Sequence, residues 1–312
     1  MTDTAITTTE TGIAQYAPAV NEYLRASKSR NTIRAYRSDW EDFDKWCEAN
    51  SVQALPAAPE VVCAYLTSMV TGGKKYSTIA RRVASISKAH QAAGHESPTR
   101  GILVRDTLKG IARTITTAKS QAVPLRLTDI RKIAYALPDN LQAKRDLALL
   151  LAGYIMAGRR SEVVALNIED VTFTREGMRL AIRKSKTDQA GEGETFGVNF
   201  CRKDPTICPV KALNAWIVAA GITSGPIFRA INRHGQLHYG RLNDKAVERI
   251  VRKYAPECSG HSLRAGFVTD QYAAGTPEAV IAERSRHKSR VVMGSYRREA
   301  NVFAFDYLSA VL

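Results

Sequence analysis

The sequence predicts a mainly α protein of two domains: an amino-terminal four-helix bundle, then a mixed, mostly helical domain carrying one small antiparallel β-sheet. Three observations point there. Apolar residues recur three and four apart through most of the chain beyond residue 20, the spacing that lines one face of a helix. That spacing lapses over TITTAKSQAVP (114–124), a polar, threonine-rich run that reads as a linker. Period-two alternation is confined to one patch, MRLAIRKSKTD and TFGVNF on either side of QAGEGE, as in a hairpin. At 312 residues the chain can bury two cores.

Residues 1–19 open on MTDTAITTTETG, which has neither the basic start nor the apolar centre of a secretory signal, and are expected to form a polar tail. The first domain spans 20–113. In SRNTIRAYRSDWEDFDKWCEANS the residues Ile33, Tyr36, Trp40, Phe43 and Cys47 form one helical stripe. PEVVCAYLTSMV starts a helix at Pro59 and repeats Val62, Leu66 and Met69. YSTIARRVASISKAHQAAG offers Ser77 as a cap, Ile79, Val83, Ile86 and Ala89 as the inner face, and Gly94 as the stop. ILVRDTLKGIARTI adds Val104, Leu108 and Ile111, completing a four-helix bundle. The second domain spans 125–312. Its helices are expected over LTDIRKIAYAL, KRDLALLLAGYIMAG, SEVVALN, CPVKALNAWIVAAG, NDKAVERIVRKYA, SLRAGFVTDQYAAG and TPEAVIAERS.

Composition narrows the function classes. The net charge is +15, and the first 118 residues hold only 15 of the 45 lysines and arginines against 11 of the 30 acids, so most of the excess lies beyond them. Such an excess attracts polyanions, above all nucleic acid, by counterion release. The five cysteines (47, 63, 201, 208, 258) form no CxxC pair and leave one over, so neither a disulfide framework nor a zinc site is expected. The apolar run LALLLAGYIMAG (147–158) is too short to cross a bilayer. The expectation is a cytoplasmic protein with no membrane partner.

Four short motifs could carry chemistry. GHSLRAG (260–266) sets His261 and Arg264 three apart, on one face if a helix starts there. AGRRSEVVAL sets Arg159 three before Glu162, whereas Arg160 is only two before it and would point away. RKSKTDQ places Lys186 at the end of a strand, with Lys184 as a competitor. RHKSRVVMGSY (286–296) separates His287 from Tyr296 by nine residues. Each taken singly is as well explained by a solvated helix face, a turn lysine or a packed aromatic.

In that order, however, Arg–x–x–Glu, a hairpin lysine, His–x–x–Arg, a histidine and then a tyrosine, the set resembles the active site of the tyrosine recombinase (phage-integrase) family, most closely its Cre-like members. The likeness covers nearly the whole chain. It implies an amino-terminal core-binding domain and a catalytic domain, a nucleophile at Tyr296, and Arg159 and Arg264 on the non-bridging oxygens of a scissile DNA phosphate. Lys186 would protonate the departing 5′ oxygen. His261 would take the Tyr296 proton or bond to the phosphate, His287 would bond to the same phosphate, and Glu162 would orient His261 or Arg159. It implies a 3′-phosphotyrosine intermediate and no cofactor, in keeping with a sequence that shows no P-loop, carboxylate cluster or metal-ligand spacing. Arg34, Ser77, Thr78 and Arg81 would read a recombination site with inverted repeats. The apolar end of the chain, with Val302, Phe303, Phe305, Tyr307, Leu308 and Val311, would form a terminal helix docking into a neighbour to make a tetramer on two DNA sites, or fold back on its own core. Such a protein would act in a bacterial nucleoid or a phage-infected cell. Two other readings stay open here: a type IB topoisomerase-like nicking and closing enzyme, and a non-catalytic DNA-binding protein.

Overall fold

The computed structural model describes residues 13–26, 30–117, 122–183, 193–287, 293–294 and 296. The chain divides into two compact units, 1–120 and 121–312.

The first unit holds α1 (Ala17–Ala26), α2 (Arg30–Ala49), α3 (Pro59–Thr71), α4 (Tyr76–Ala92) and α5 (Ile102–Thr114). The last four are the expected bundle. Their stripes meet in a core where Phe43, Tyr65, Leu66, Ile79 and Ile86 are at most 1% exposed. Two expectations need correction. A fifth helix, α1, begins inside the stretch read as a polar tail; Ala17, Val20 and Leu24 recur three and four apart in it, yet none of its described side chains is buried. Ser77 does not cap α4. The helix starts one residue earlier, behind an extended Lys75, because Tyr76 tucks against the core and draws the first turn with it. Ser77 is left exposed in that turn.

In the second unit α6 (Leu127–Ala136) and α7 (Leu141–Ile155) lead into the short α8 (Arg160–Ala165). A three-stranded antiparallel sheet follows: β1 (Val171–Phe173), β2 (Gly177–Ile182) and β3 (Glu194–Asn199), with Val171 and Phe196 both opposite Leu180. β2 and β3 are the two alternating runs. α9 (Pro209–Ala219), α10 (Asp244–Tyr254), α11 (Ser262–Ala273) and α12 (Glu278–Ser285) follow among the described residues. A second sheet, β4 (Arg229–Ile231) against β5 (Leu237–Arg241), was not foreseen; β4 spans only three residues and β5 is exposed beyond its first, so neither shows an alternating apolar face.

From Ala148 to Tyr154 α7 is apolar all round because it is buried all round. Leu149 enters a core built on the larger sheet, α9 and α10, with Leu180, Trp216 and Phe228. Leu150, Leu151 and Tyr154 enter another, with Ile130, Leu263 and Val268 of α6 and α11. Among the described residues no helix is long and apolar enough to cross a membrane.

Candidate active site

The site is assembled around the carboxyl end of α7. Past Ile155 the chain turns sharply, and Ala157 takes φ +44°, a left-handed conformation uncommon for a residue with a side chain. A helix end leaves carbonyls without helical partners and carries a partial negative charge. Two arginines occupy it: Arg264 Nη1 donates to the Ala157 carbonyl at 3.1 Å, and Arg286 Nη2 to the Met156 carbonyl at 3.0 Å.

The same turn delivers Arg159, the residue before α8. The Glu162 carboxylate folds back over it, accepting from the Arg159 backbone N–H at 2.9 Å and from its Nη1 at 2.6 Å, as a third-position carboxylate does at a helix start. Arg286 Nη2 reaches the same carboxylate at 3.0 Å. Burial would raise the Glu162 carboxyl, but the Arg159 hydrogen bonds and the two guanidiniums hold it below the usual carboxylate range. Arg160 leaves in another direction, to Glu248 on α10 at 2.7 Å, its stem lying over Gly260 where a Cβ would come within 2.2 Å. Arg159 is therefore the member of the pair that faces Glu162, as the spacing predicts.

α11 brings the next two groups. Its first turns press on the strand-like segment before α6: Leu125 N–H donates to the Ser262 carbonyl at 3.0 Å, and a Cβ on Gly266 would meet the Leu125 carbonyl at 1.9 Å, so this helix position admits only glycine. That contact seats His261 at the mouth of the helix and Arg264 one turn inside. Arg264 is 1% exposed, and burial together with the Arg159 charge lowers its guanidinium to about 10. The outer edge of His261 reaches solvent, while its flank is closed in by protein. Burial, then Arg264, Arg159 and Arg160, push its imidazole below the ordinary histidine value, which leaves it neutral and able to take a proton.

His287 follows α12. Ser285 is fully buried and gives its hydroxyl proton to the Ile281 carbonyl at 2.6 Å, so toward His287 Nδ1, 2.8 Å away, it must accept. Nδ1 therefore carries the ring proton, and Nε2 presents its lone pair to Arg264 Nε at 3.4 Å. Burial, then the neighbouring Arg264 and Arg159, lower the ring to about 3. Nitrogen-15 NMR of the DNA-free protein is expected to show His287 as the neutral Nδ1–H form from pH 5 to 8; an Nε2–H pattern would contradict this hydrogen-bond order. The Tyr296 ring lies 5.9 Å from the His287 ring, tilted by 52°, is 7% exposed, and is near enough to act on the ionisation of Arg264.

Thus Arg159, Glu162, His261, Arg264, His287 and Tyr296 are brought together. Lys186 belongs to the β2–β3 connection and lies outside the described residues, as do Lys184 and the terminal segment with Phe303 and Leu308. Within the first unit, Arg34 is exposed and bonds to Asn31 at 3.0 Å, Ser77 is exposed, Thr78 half-buried, and Arg81 is paired with the buried Asp39 of α2. Two residues of the site were not singled out from sequence, Ser285 and Arg286. Their only sequence signal is adjacency to His287.

Known protein families give an independent comparison for the whole chain. The model described as "Phage integrase, N-terminal SAM-like domain" matches residues 20–97, and that of the "Phage integrase family" matches residues 124–301. The chain belongs to the phage integrase family. This integrase-family chain is 36% identical over 297 residues to an integrase/recombinase xerD homolog of Selenomonas ruminantium, covering 92% of itself and 86% of that protein. It shares its fold with the XerH site-specific recombinase bound to palindromic difH substrate (TM-score 0.65, 16% identity, 95% and 85% of the two chains). The same holds for a lambda integrase tetramer bound to a Holliday junction (TM-score 0.60, 16% identity, 88% and 73%). The integrase is accordingly a tyrosine-type site-specific recombinase.

Proposed function

We propose that this recombinase binds double-stranded DNA sites with inverted repeats and exchanges strands through Tyr296, without nucleotide or metal cofactor. What supports the reading is the convergence of Arg159, His261, Arg264, His287 and Tyr296 on the end of α7, two guanidiniums and two neutral imidazoles beside a phenol.

In the proposed reaction the scissile phosphodiester enters between Arg159 and Arg264, whose planar forks donate to its non-bridging oxygens. Both guanidiniums are held before DNA arrives, Arg159 by Glu162 and Arg264 by the Ala157 carbonyl, so the charge forming on phosphorus meets donors already in place. The phenol oxygen of Tyr296 attacks phosphorus as neutral His261 takes its proton. The 5′ oxygen departs with a proton from Lys186. A 3′-phosphotyrosyl bond replaces the phosphodiester, and a 5′ hydroxyl from a second duplex reverses the step, so the bond energy is retained. His287 serves first to hold Arg264 through Nε2. To bond to the phosphate, Nε2 would need a second ring proton, and it would then release Arg264.

Arg34, Ser77, Thr78 and Arg81 are proposed to face bases and phosphates. Arg81, oriented by Asp39, is suited to a fixed contact. The apolar residues 302–311 are proposed to dock into the neighbouring protomer of a tetramer on two DNA sites, in the cytoplasm. The test is a nicked suicide substrate carrying inverted repeats of about ten base pairs around a short spacer, taken from DNA flanking the coding region and incubated in EDTA. The expected product is a covalent protein–DNA adduct with its 3′ phosphate on Tyr296, located by peptide mass spectrometry. An adduct on another residue, or one formed only with Mg²⁺, would overturn the reading.

A further inference from the structure

Arg286 closes α12 with φ 55° and ψ 40°, the left-handed conformation that glycine adopts freely and an arginine rarely does. A long charged residue in that position is held there by its side chain, which is only 9% exposed. Nη2 donates to Glu162 Oε2 and to the Met156 carbonyl, each at 3.0 Å. Nη1 donates to the Arg284 carbonyl at 3.1 Å and lies 3.6 Å from Glu194 Oε2 on β3. One guanidinium thus ties together the end of α7, the first turn of α8 and the edge of β3, directly before His287.

We infer that Arg286 is a positioning residue for the strand-transfer site: by fixing Glu162 it fixes the Arg159 guanidinium that Glu162 holds. This rests on the function proposed above. Two features separate it from a third phosphate clamp. Its two terminal nitrogens make three hydrogen bonds to protein oxygens and Nη1 also faces Glu194 Oε2 at 3.6 Å, while the N–H left over, on Nε, has no hydrogen-bond partner but is itself buried. And Glu162 is shared: its Oε1 takes Arg159 Nη1, while Oε2 takes both the Arg159 backbone N–H and Arg286 Nη2, so the carboxylate is pinned from both sides. Without Arg286, Oε2 keeps only the backbone N–H, the carboxylate is held less tightly, and the Arg159 guanidinium on Oε1 loosens with it. A group that orients another in this manner typically changes the rate and not the affinity.

The variants are Arg286→Gly, which suits the backbone, and Arg286→Lys, which keeps the charge but not the fork; near-ultraviolet circular dichroism checks that each is folded. With DNA saturating, Arg286→Gly should slow single-turnover cleavage about 10- to 100-fold with unchanged Kd, and Arg286→Lys should recover part of the loss. In a Glu162→Gln background the glycine change should add little, since the two act through one contact. Independently of any activity, the side-chain Nε–H of Arg159 should exchange with solvent at least about tenfold faster in DNA-free Arg286→Gly protein. Equal cleavage losses with and without Glu162, or an Arg159 signal unchanged by the substitution, overturn the inference. A wild-type protein that forms no Tyr296 adduct overturns the function proposed above, while the Arg159 exchange measurement still decides whether Arg286 orders that guanidinium.

Discussion

Tyr296→Phe is expected to bind DNA as the native protein does and to form no covalent adduct. The ring is packed at 7% exposure beside His287, and phenylalanine keeps that packing and the 5.9 Å ring contact while removing the oxygen that attacks phosphorus. The proposed binding would draw on the basic excess of the chain and on the first domain, neither of which the substitution touches. Suicide-substrate capture measures the loss and a gel-shift titration measures the affinity. Any phosphodiester trapped on the variant sinks the assignment of Tyr296. The neutral state of His261 adds a pH signature to the native enzyme. Acid strong enough to protonate an imidazole whose ionisation burial and three arginines already disfavour would remove the proton acceptor, so cleavage should fall only below the ordinary histidine range.

Arg159→Ala and Arg160→Ala are expected to part company. One prearranged donor to a developing oxyanion is worth about 10²- to 10³-fold in rate. Arg159 is held by Glu162 and faces Arg264, so its loss should slow cleavage by that order. Arg160 is paired with Glu248 of α10, a half-buried pair near the surface, where such ion pairs contribute about 1 kcal/mol or less. Its removal should leave the rate within a few-fold of native and affect chiefly the packing over Gly260. Single-turnover rates on the same nicked substrate compare the two directly. Equal losses, or a larger one at Arg160, reverse the register of the motif.

How much of this was legible beforehand depends on where each signal resides. α2 to α12 announce themselves because each buries a stripe whose spacing is local, as in Phe43 and Cys47 or Val62, Leu66 and Met69. α1 buries none of its described side chains; β1 and β4 span only three residues, and β5 is exposed beyond its first, so these strands show no alternating apolar face. The Arg159–Glu162 pair is also local, three residues within one helical turn, which is why spacing could choose between adjacent arginines. Ser77 misled because a capping side chain was weighed without the pull of Tyr76 on the core. Arg286 had no local signal at all: its partner Glu162 lies 124 residues away, and the meeting is made by tertiary approach of two helix ends. The tautomer of His287 is likewise set by whether Ser285 has a proton to give, which spacing cannot reveal.

The position of α7 has a thermal consequence. It is a party wall: Leu149 belongs to one core, Leu150 and Leu151 to the other, and each is completely buried. Truncating any of them to alanine would cost about 2–5 kcal/mol, and neither core can melt without exposing the face of a helix the other still needs. The reactive turn hangs from the end of that wall, so it has no private stability of its own. Where many enzymes lose activity when a soft loop opens well before the fold does, heat should find no such early step at Met156 to Arg159. The cluster of cations disperses when the whole second unit comes apart.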